Sequence, residues 1–189
     1  THESGFGKLD TPHAMKLDAA GNILLGGQGF TTVQNEEDYL LMKFNNAGTF
    51  QWLKIYSGDA EALDRINALD IDQATNNIYV TGRSKSNASS EDYYTIAYNT
   101  SGTELWSDRY SSSGLELDEA TDIALGGSGN LYVTGFSYET SSLDYTTLKY
   151  DLSGNMIWET SFDGPSSLSD QAIKMKLDPT ENIFVTGKS

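Results

Sequence analysis

The sequence predicts an all-β fold, a β-propeller of four-stranded antiparallel blades, and three observations predict it. Five columns of residues recur at one spacing. Trp52, Trp106 and Trp158 stand 54 and 52 residues apart, and Gly48, Gly102 and Gly154 and the pairs Asp38-Tyr39, Asp92-Tyr93 and Asp144-Tyr145 keep those intervals. Asn22, Asn77, Asn130 and Asn182 form a fourth column, and Asp10, Asp64, Asp118 and Asp170 a fifth. Within each unit apolar and polar residues alternate with a period of two, and no helical periodicity runs longer than about one turn. The period of about 53 residues suits a propeller blade, solenoid repeats being generally shorter. The 189 residues form one domain of about three and a half units: 11–64, 65–118, 119–170 and the incomplete 171–189.

Each unit reads as four short strands. The first is Ala14–Leu17, matched by Ala68–Ile71, Asp122–Leu125 and Lys174–Leu177. In it Met15 and Leu17 share one face, as do Leu69 and Ile71. A tight turn such as Asp18-Ala19-Ala20-Gly21-Asn22 follows, where aspartate bonds its own backbone and glycine or asparagine takes a positive φ. The second strand is Ile78–Thr81, with Leu131–Thr134 and Ile183–Thr186, β-branched and aromatic as strands prefer. Gly27, Gly82, Gly135 and Gly187 are expected to end it. The segments Gln28–Glu37, Arg83–Glu91 and Phe136–Leu143 read as the longest loops, lined up on one face of the stack. The third strand is Asp38–Phe44, Asp92–Tyr98 and Asp144–Tyr150. A short hairpin closing on Gly48, Gly102 or Gly154 leads to the fourth, Phe50–Tyr56, Glu104–Tyr110 and Met156–Phe162. One four-stranded meander cannot bury both its faces, so copies must stack, and stacking around an axis is the propeller solution. The tryptophans are expected between the outer strands of adjacent blades. Glu104 and Asp108 are expected to face solvent.

Composition removes several function classes. Twelve basic against 27 acidic side chains give a net charge of −15, unsuited to nucleic acid or an anionic membrane. No cysteine is present, so there is no disulfide scaffold and no thiolate metal site. No apolar run approaches the roughly 18 residues of a membrane-spanning helix.

The columns resemble the bacterial β-propeller repeats called SBBP repeats. The stretches that carry the likeness are Asn77-Ile78-Tyr79-Val80-Thr81-Gly82, Asp92-Tyr93, Gly102, Trp106 and Tyr110. They recur as Asn130-Leu131-Tyr132-Val133-Thr134-Gly135, Asp144-Tyr145, Gly154, Trp158 and Phe162. The first unit departs, with Leu25-Gly26-Gly27 where the others have Val-Thr-Gly, which weakens its second strand. The resemblance implies a propeller on an exported or surface-bound bacterial protein and implies no catalytic residues.

Candidate chemistry is weighed against the structural alternative at each column. Asp10, Asp64, Asp118 and Asp170 precede the first strands. Calcium takes about six to eight oxygens, but equivalent positions in neighbouring blades are too far apart to share an ion, so these carboxylates read as caps on loop amides. Asp38, Asp92 and Asp144, at strand starts, read the same way. Glu116, Asp118 and Glu119 crowd one connection, and Asp59, Glu61 and Asp64 another, but chance pairs are expected among 27 acids. His2 and His13 complete neither a zinc site nor a Ser-His-Asp triad. Gly126-Gly127-Ser128-Gly129 lacks the lysine and helix of a phosphate loop and reads as a hairpin turn. Asn87-Ala88-Ser89 and Asn99-Thr100-Ser101 match the glycosylation acceptor pattern, a coincidence in a bacterial protein. Gly48-Thr49-Phe50-Gln51-Trp52 looks like the glycine-to-tryptophan motif of quinoprotein dehydrogenase propellers, but the cysteine typical near that quinone is missing.

No catalytic, cofactor-binding or metal-ligating residue is therefore assigned, and no cofactor. The favoured function is a non-catalytic secreted or cell-surface module, a scaffold or a binder of protein or glycan through loops on one face. The alternative is an enzyme with a carboxylate-based hydrolase, lyase or quinoprotein-like site in the axial funnel, where Lys16, Asp70, Ala124 and Lys176 are expected. Three and a half blades do not close a ring. The expected partners are the remaining blades of a ring of about seven, or a second copy of the chain.

Overall fold

The computed structural model describes residues 10–30, 37–58, 63–86, 90–112, 116–139, 141–165 and 168–189. Among them lie fourteen strands and no helix. Blade 1 is β1 (Thr11–Leu17), β2 (Ile23–Phe30), β3 (Glu37–Phe44) and β4 (Phe50–Tyr56). Blade 2 is β5 (Arg65–Ile71), β6 (Ile78–Lys85), β7 (Glu91–Tyr98) and β8 (Glu104–Tyr110). Blade 3 is β9 (Glu119–Leu125), β10 (Asn130–Glu139), β11 (Ser142–Asp151) and β12 (Met156–Phe162). The strands β13 (Gln171–Leu177) and β14 (Ile183–Lys188) pair only with each other and begin a fourth blade. Every pairing within the blades is antiparallel and follows chain order. The first strands lie side by side, β1 against β5, β5 against β9 and β9 against β13, so they form the inner wall of a propeller.

Two sandwiched layers make the core. Leu24, Tyr39 and Leu41 of blade 1 meet Ile66, Leu69, Ile71, Val80 and Ile96 of blade 2. The opposite face of blade 2, with Tyr79, Tyr93 and Ala97, meets Ile123, Leu131, Val133 and Leu148 of blade 3. Blade 2 is thus apolar on both faces, as a sheet covered on both sides must be. The threonine column is satisfied across the strand pair in two blades: Thr81 Oγ1 lies 2.9 Å from Thr95 Oγ1 in blade 2, and Thr134 Oγ1 2.9 Å from Thr147 Oγ1 in blade 3. Among the described residues no strand packs on the outer face of blade 1. Met15 is 63% exposed, whereas Leu69 in the same column is 3% exposed.

Several details differ from the sequence-based expectation. The glycines Gly27, Gly82, Gly135 and Gly187 do not end the second strand, which runs on to Phe30, Lys85, Glu139 and Lys188. They sit opposite a bulge in the first strand, where the pairing slips at His13, Asn67, Thr121 and Ile173. A Cβ at Gly82 would come within 1.9 Å of the Arg65 carbonyl oxygen, so the bulge requires bare backbone there. The described residues of the supposed long loops are consequently mostly strand. Phe136–Glu139 and Ser142–Leu143 pair with each other, Gln28–Phe30 and Glu37 belong to β2 and β3, and Arg83–Lys85 and Glu91 belong to β6 and β7. Residues 31–36, 87–89 and 140 of those segments lie outside the described residues. Nor is β2 weakened by Gly26, whose missing side chain makes room for Ile66 Cγ2.

Candidate functional site

The side chains that hold charge at the axial end of the blades come from the starts of the first strands and the ends of the second. The bulge aims them. Asn67 Nδ2 donates to the Ala120 carbonyl at 2.7 Å and to Glu119 Oε1 at 2.8 Å. Thr121 Oγ1 repeats the step one blade on, donating to the Ala172 carbonyl at 2.9 Å. Glu119, buried, also takes Arg65 and, at 3.3 Å, Arg83, which reaches Glu91 at 3.6 Å. In blade 1 the exposed His13 Nε2 lies 3.1 Å from Gln28 Oε1, and Gln28 Nε2 donates to Glu37. Deeper along the inner wall Asp70 pairs with Lys16 at 3.1 Å and accepts the Leu125 amide at 2.9 Å, while Asp122 accepts the Met175 amide at 2.8 Å. Charge at the axis is therefore used blade to blade.

The aspartate column before the first strands forms a second set of links. Asp118 is fully buried and accepts the Ser112 amide at 2.7 Å, the Ser112 hydroxyl at 2.9 Å and the Tyr138 amide at 2.9 Å. It ties the connection leaving blade 2 to the second strand of blade 3. Asp64 does the same between Gly58 and Lys85. Burial pushes both carboxyls above the ordinary range, and the amide bonds oppose it. Asp118→Ala strands two buried amides and is expected to lower unfolding free energy by about 2 kcal/mol, read from urea midpoints.

The fourth member of that column, Asp170, stands beside two further acids. Carboxylate oxygens of Asp144, Asp163 and Asp170 lie within 4.8 Å of one another, the one such trio of potential metal ligands among the described residues. The sequence points to acids crowding other connections and not to Asp144 meeting Asp163 and Asp170. Burial, then Asp163 and Asp170, raises the Asp144 carboxyl. Asp170 Oδ2 already accepts the Gly164 amide at 2.8 Å, the linking role of Asp64 and Asp118.

No family model matches the sequence, and no curated protein matches it. Among solved structures, one described as the crystal structure of the eukaryotic initiation factor superposes with a TM-score of 0.49 at 10% identity, covering 84% of this chain and 34% of that one. The structure of Pseudomonas aeruginosa periplasmic gluconolactonase, PpgL, superposes with a TM-score of 0.36 at 9% identity, covering 94% of this chain and 70% of that one. The chain thus spans about a third of the first of these. Both similarities concern the arrangement of strands and carry nothing about chemistry.

The tryptophan column is where the sequence predicted it. Trp106 lies between Tyr79 of its own blade and Tyr150 of the next, and Nε1 donates to the Leu152 carbonyl at 2.9 Å. Its ring rests on Gly154, where a Cβ would approach to 2.7 Å. The φ of 90° at Gly154 is a second reason for glycine there. Asp108, expected in solvent, instead accepts the Tyr150 hydroxyl at 2.8 Å. Residues two apart on a strand share a face, so Asp108 points into the seam with Trp106.

Three further contacts link the blades, and in two of them, at Arg109 and Glu181, the residue departs from its column, whereas Lys43 shares its column with Lys149. Arg109 stands where the other blades have Ile55 and Ser161. It donates to the Ser84 carbonyl, to Tyr56 Oη at 3.2 Å and to Asp92 at 3.3 Å, with its guanidinium 4.8 Å from the Tyr94 ring. Lys43, buried, pairs with Asp18 at 3.0 Å and reaches Thr100 Oγ1 at 3.0 Å. Glu181 crosses from the β13–β14 turn to blade 3. It accepts the Ser128 amide at 2.5 Å, the Ser128 hydroxyl at 2.7 Å and the Tyr132 hydroxyl at 2.8 Å. Gly126, which replaces the usual aspartate, leaves room for it.

The Ser128 bonds foremost, then Tyr132, hold the Glu181 carboxyl at about 2, against an ordinary 4.5. A depressed carboxyl stabilises the fold above its unfolded pKa, and the contribution fades as pH falls through the folded one. Docking of β13–β14 is therefore expected to loosen between pH 4.5 and about 2. Amide exchange in Ile183–Lys188 measured across that window checks it, and Glu181→Gln should remove the part of the pH dependence that Asp178, held at about 2 in the same turn by Asn182, does not carry.

Proposed function

We propose that the chain is a non-catalytic β-propeller module of an exported or cell-surface bacterial protein, a scaffold that binds protein or glycan at the rim where second strands turn into third. One observation carries this reading. Arg65, Arg83, Asn67, Glu91 and Glu119 converge at the axial end, as a site would require, yet their charges pair with one another across the blade 2–blade 3 seam, Arg65 Nε and Arg83 Nε being left buried without a partner among the described residues. An Arg–carboxylate network of that kind fixes the geometry of a rim rather than leaving a poised acid and base. The net charge of −15 supports solubility outside the cell.

A second reading rests on the His13–Gln28–Glu37 chain. An exposed histidine linked to a carboxylate beside the axis is a possible general base of an axial-funnel hydrolase or lyase. Chromogenic esters, lactones and glycosides offered to the purified chain separate the two readings. The scaffold reading expects no turnover above buffer and saturable binding on a glycan or cell-surface protein array that Arg83→Ala weakens. Turnover abolished by either His13→Ala or Glu37→Ala would establish the enzyme instead. Fractionation of the producing cells tests export, and retention in the cytoplasm would count against it.

A further inference from the structure

The seams between blades 1 and 2 and between blades 2 and 3 are built on the same columns, and they differ around the tryptophan. In the second seam the positions beside Trp106 are Ala97, Leu105 and Leu152, and the Leu152 carbonyl accepts Nε1 at 2.9 Å. In the first seam the same columns carry Lys43, Gln51 and Thr100 beside Trp52. Three apolar positions of one seam are thus polar in the other. All three open, with Trp52, Asn22 and Ser101, onto a cleft of about 300 Å3. Ligand clefts begin at about that volume. The cleft lies between two complete blades, at the end where first strands turn into second and third into fourth.

The hydrogen-bonding capacity left in the cleft specifies the ligand. Lys43 is buried, and its ammonium is spent on Asp18 at 3.0 Å, Thr100 Oγ1 at 3.0 Å and the Thr100 carbonyl at 3.4 Å. An ammonium has three donors, so no charge is left to offer. The Thr100 carbonyl is the counterpart of the one that accepts Trp106, and with Lys43 on it Trp52 Nε1 has no acceptor among the described residues. Asn22 and Gln51 commit their amide nitrogens, to Asp18 at 2.8 Å and to the Thr49 carbonyl at 3.2 Å, and keep their amide oxygens. Thr100 Oγ1 keeps its own hydrogen to donate. Ser101 Oγ donates to Asn99 at 2.7 Å and can still accept. The cleft therefore offers an indole, neutral donors and neutral acceptors together.

We propose that this cleft binds one neutral pyranose ring, either a free sugar or the end unit of a glycan. A hydroxyl both donates and accepts, so a ring of hydroxyls matches a mixed neutral set. An anion would call for donors alone and a cation for acceptors alone. An apolar ligand would leave the amide oxygens and the indole N–H unpaired. The C–H face of a sugar ring suits the apolar indole, and the indole N–H at its edge is available to a hydroxyl. The site lies at the opposite end of the blades from the rim proposed above and does not depend on it.

The test follows the indole N–H resonances of the 189-residue protein, assigned with Trp106→Phe and Trp158→Phe. Methyl α- and β-glycosides of glucose, galactose, mannose and N-acetylglucosamine are added in turn. At least one is expected to shift the Trp52 resonance saturably, with a Kd of about 1 mM, and to leave Trp106 in place. Gln51→Leu installs the second seam's residue at an exposed position and should weaken binding about tenfold at an unchanged melting temperature. Adding Lys43→Ala and Thr100→Leu, which rewrites the first seam as the second, should abolish it. Arg83→Ala, at the other rim, should leave it unchanged, so the two sites fail separately. A disaccharide that binds as tightly as the methyl glycoside of its end unit assigns the cleft to a glycan end. One that does not bind where the monosaccharide does assigns it to a free sugar, and both results bear the site out. No Trp52 shift with any glycoside up to about 50 mM overturns the proposal. So do equal shifts at Trp52 and Trp106, binding indifferent to Gln51→Leu, and a Trp52 shift with sulfate or lysine amide but with no sugar.

Discussion

Trp106→Ala is expected to lower unfolding free energy by about 3–5 kcal/mol. The indole fills the outer end of the blade 2–blade 3 seam against Tyr79, Tyr150 and Gly154, and its loss also leaves the Leu152 carbonyl without its donor. Asp108→Ala should cost about 1 kcal/mol, one hydrogen bond from Tyr150. Leu105, on the opposite face of the same strand and 49% exposed, should tolerate alanine within about 1 kcal/mol. Urea unfolding of the three variants measures the order. Equal losses at Trp106 and Leu105 would place the strand face wrongly.

Gly82→Ala is the second large effect, expected at about 3 kcal/mol. A methyl group there would sit 1.9 Å from the Arg65 carbonyl oxygen and 3.0 Å from the Asn67 amide nitrogen, both backbone atoms that cannot swing aside. Relieving that clash means undoing the bulge, and with it the aim of Asn67 at Glu119 and Ala120. Gly127→Ala is the control. Nothing lies within 4 Å of a Cβ there, so the change should be neutral or stabilise by up to about 1 kcal/mol through the unfolded chain. Thermal melts of the pair separate a glycine required by close approach from one that merely occupies a turn.

The contrast between these two glycines shows what was legible in the sequence. Repeat spacing disclosed the blades, the strand order, the tryptophan locks and the first turns closing on Asn22, Asn77, Asn130 and Asn182, because each depends on local chemistry repeated in register. The glycine after the second strand was read as a stop because a strand-ending glycine and one facing a bulge look alike in one dimension. Their difference lies in the partner strand. Asp108 was misplaced by counting neighbours along the chain rather than by the two-residue period. Met15 and Leu17 carry the pattern of a buried strand but lie on the open side of blade 1. The polar convergence at the axis was the least visible. Arg65, Arg83 and Glu119 sit in columns whose other members are Thr11, Gln28, Phe136, Gln171 and Lys188. A repeat search averages such exceptions away, and they are the residues that distinguish this rim from any other.

Amide hydrogen exchange along the whole chain tests the stacked-blade architecture most directly, because protection follows burial between blades. The expected result is slowest exchange in Ile78–Lys85 and Asn130–Glu139, the second strands enclosed on both faces, and exchange at least about a hundredfold faster in the edge strand Ile183–Lys188. Equal protection of Ile183–Lys188 and Asn130–Glu139 in the isolated chain at low concentration would contradict it.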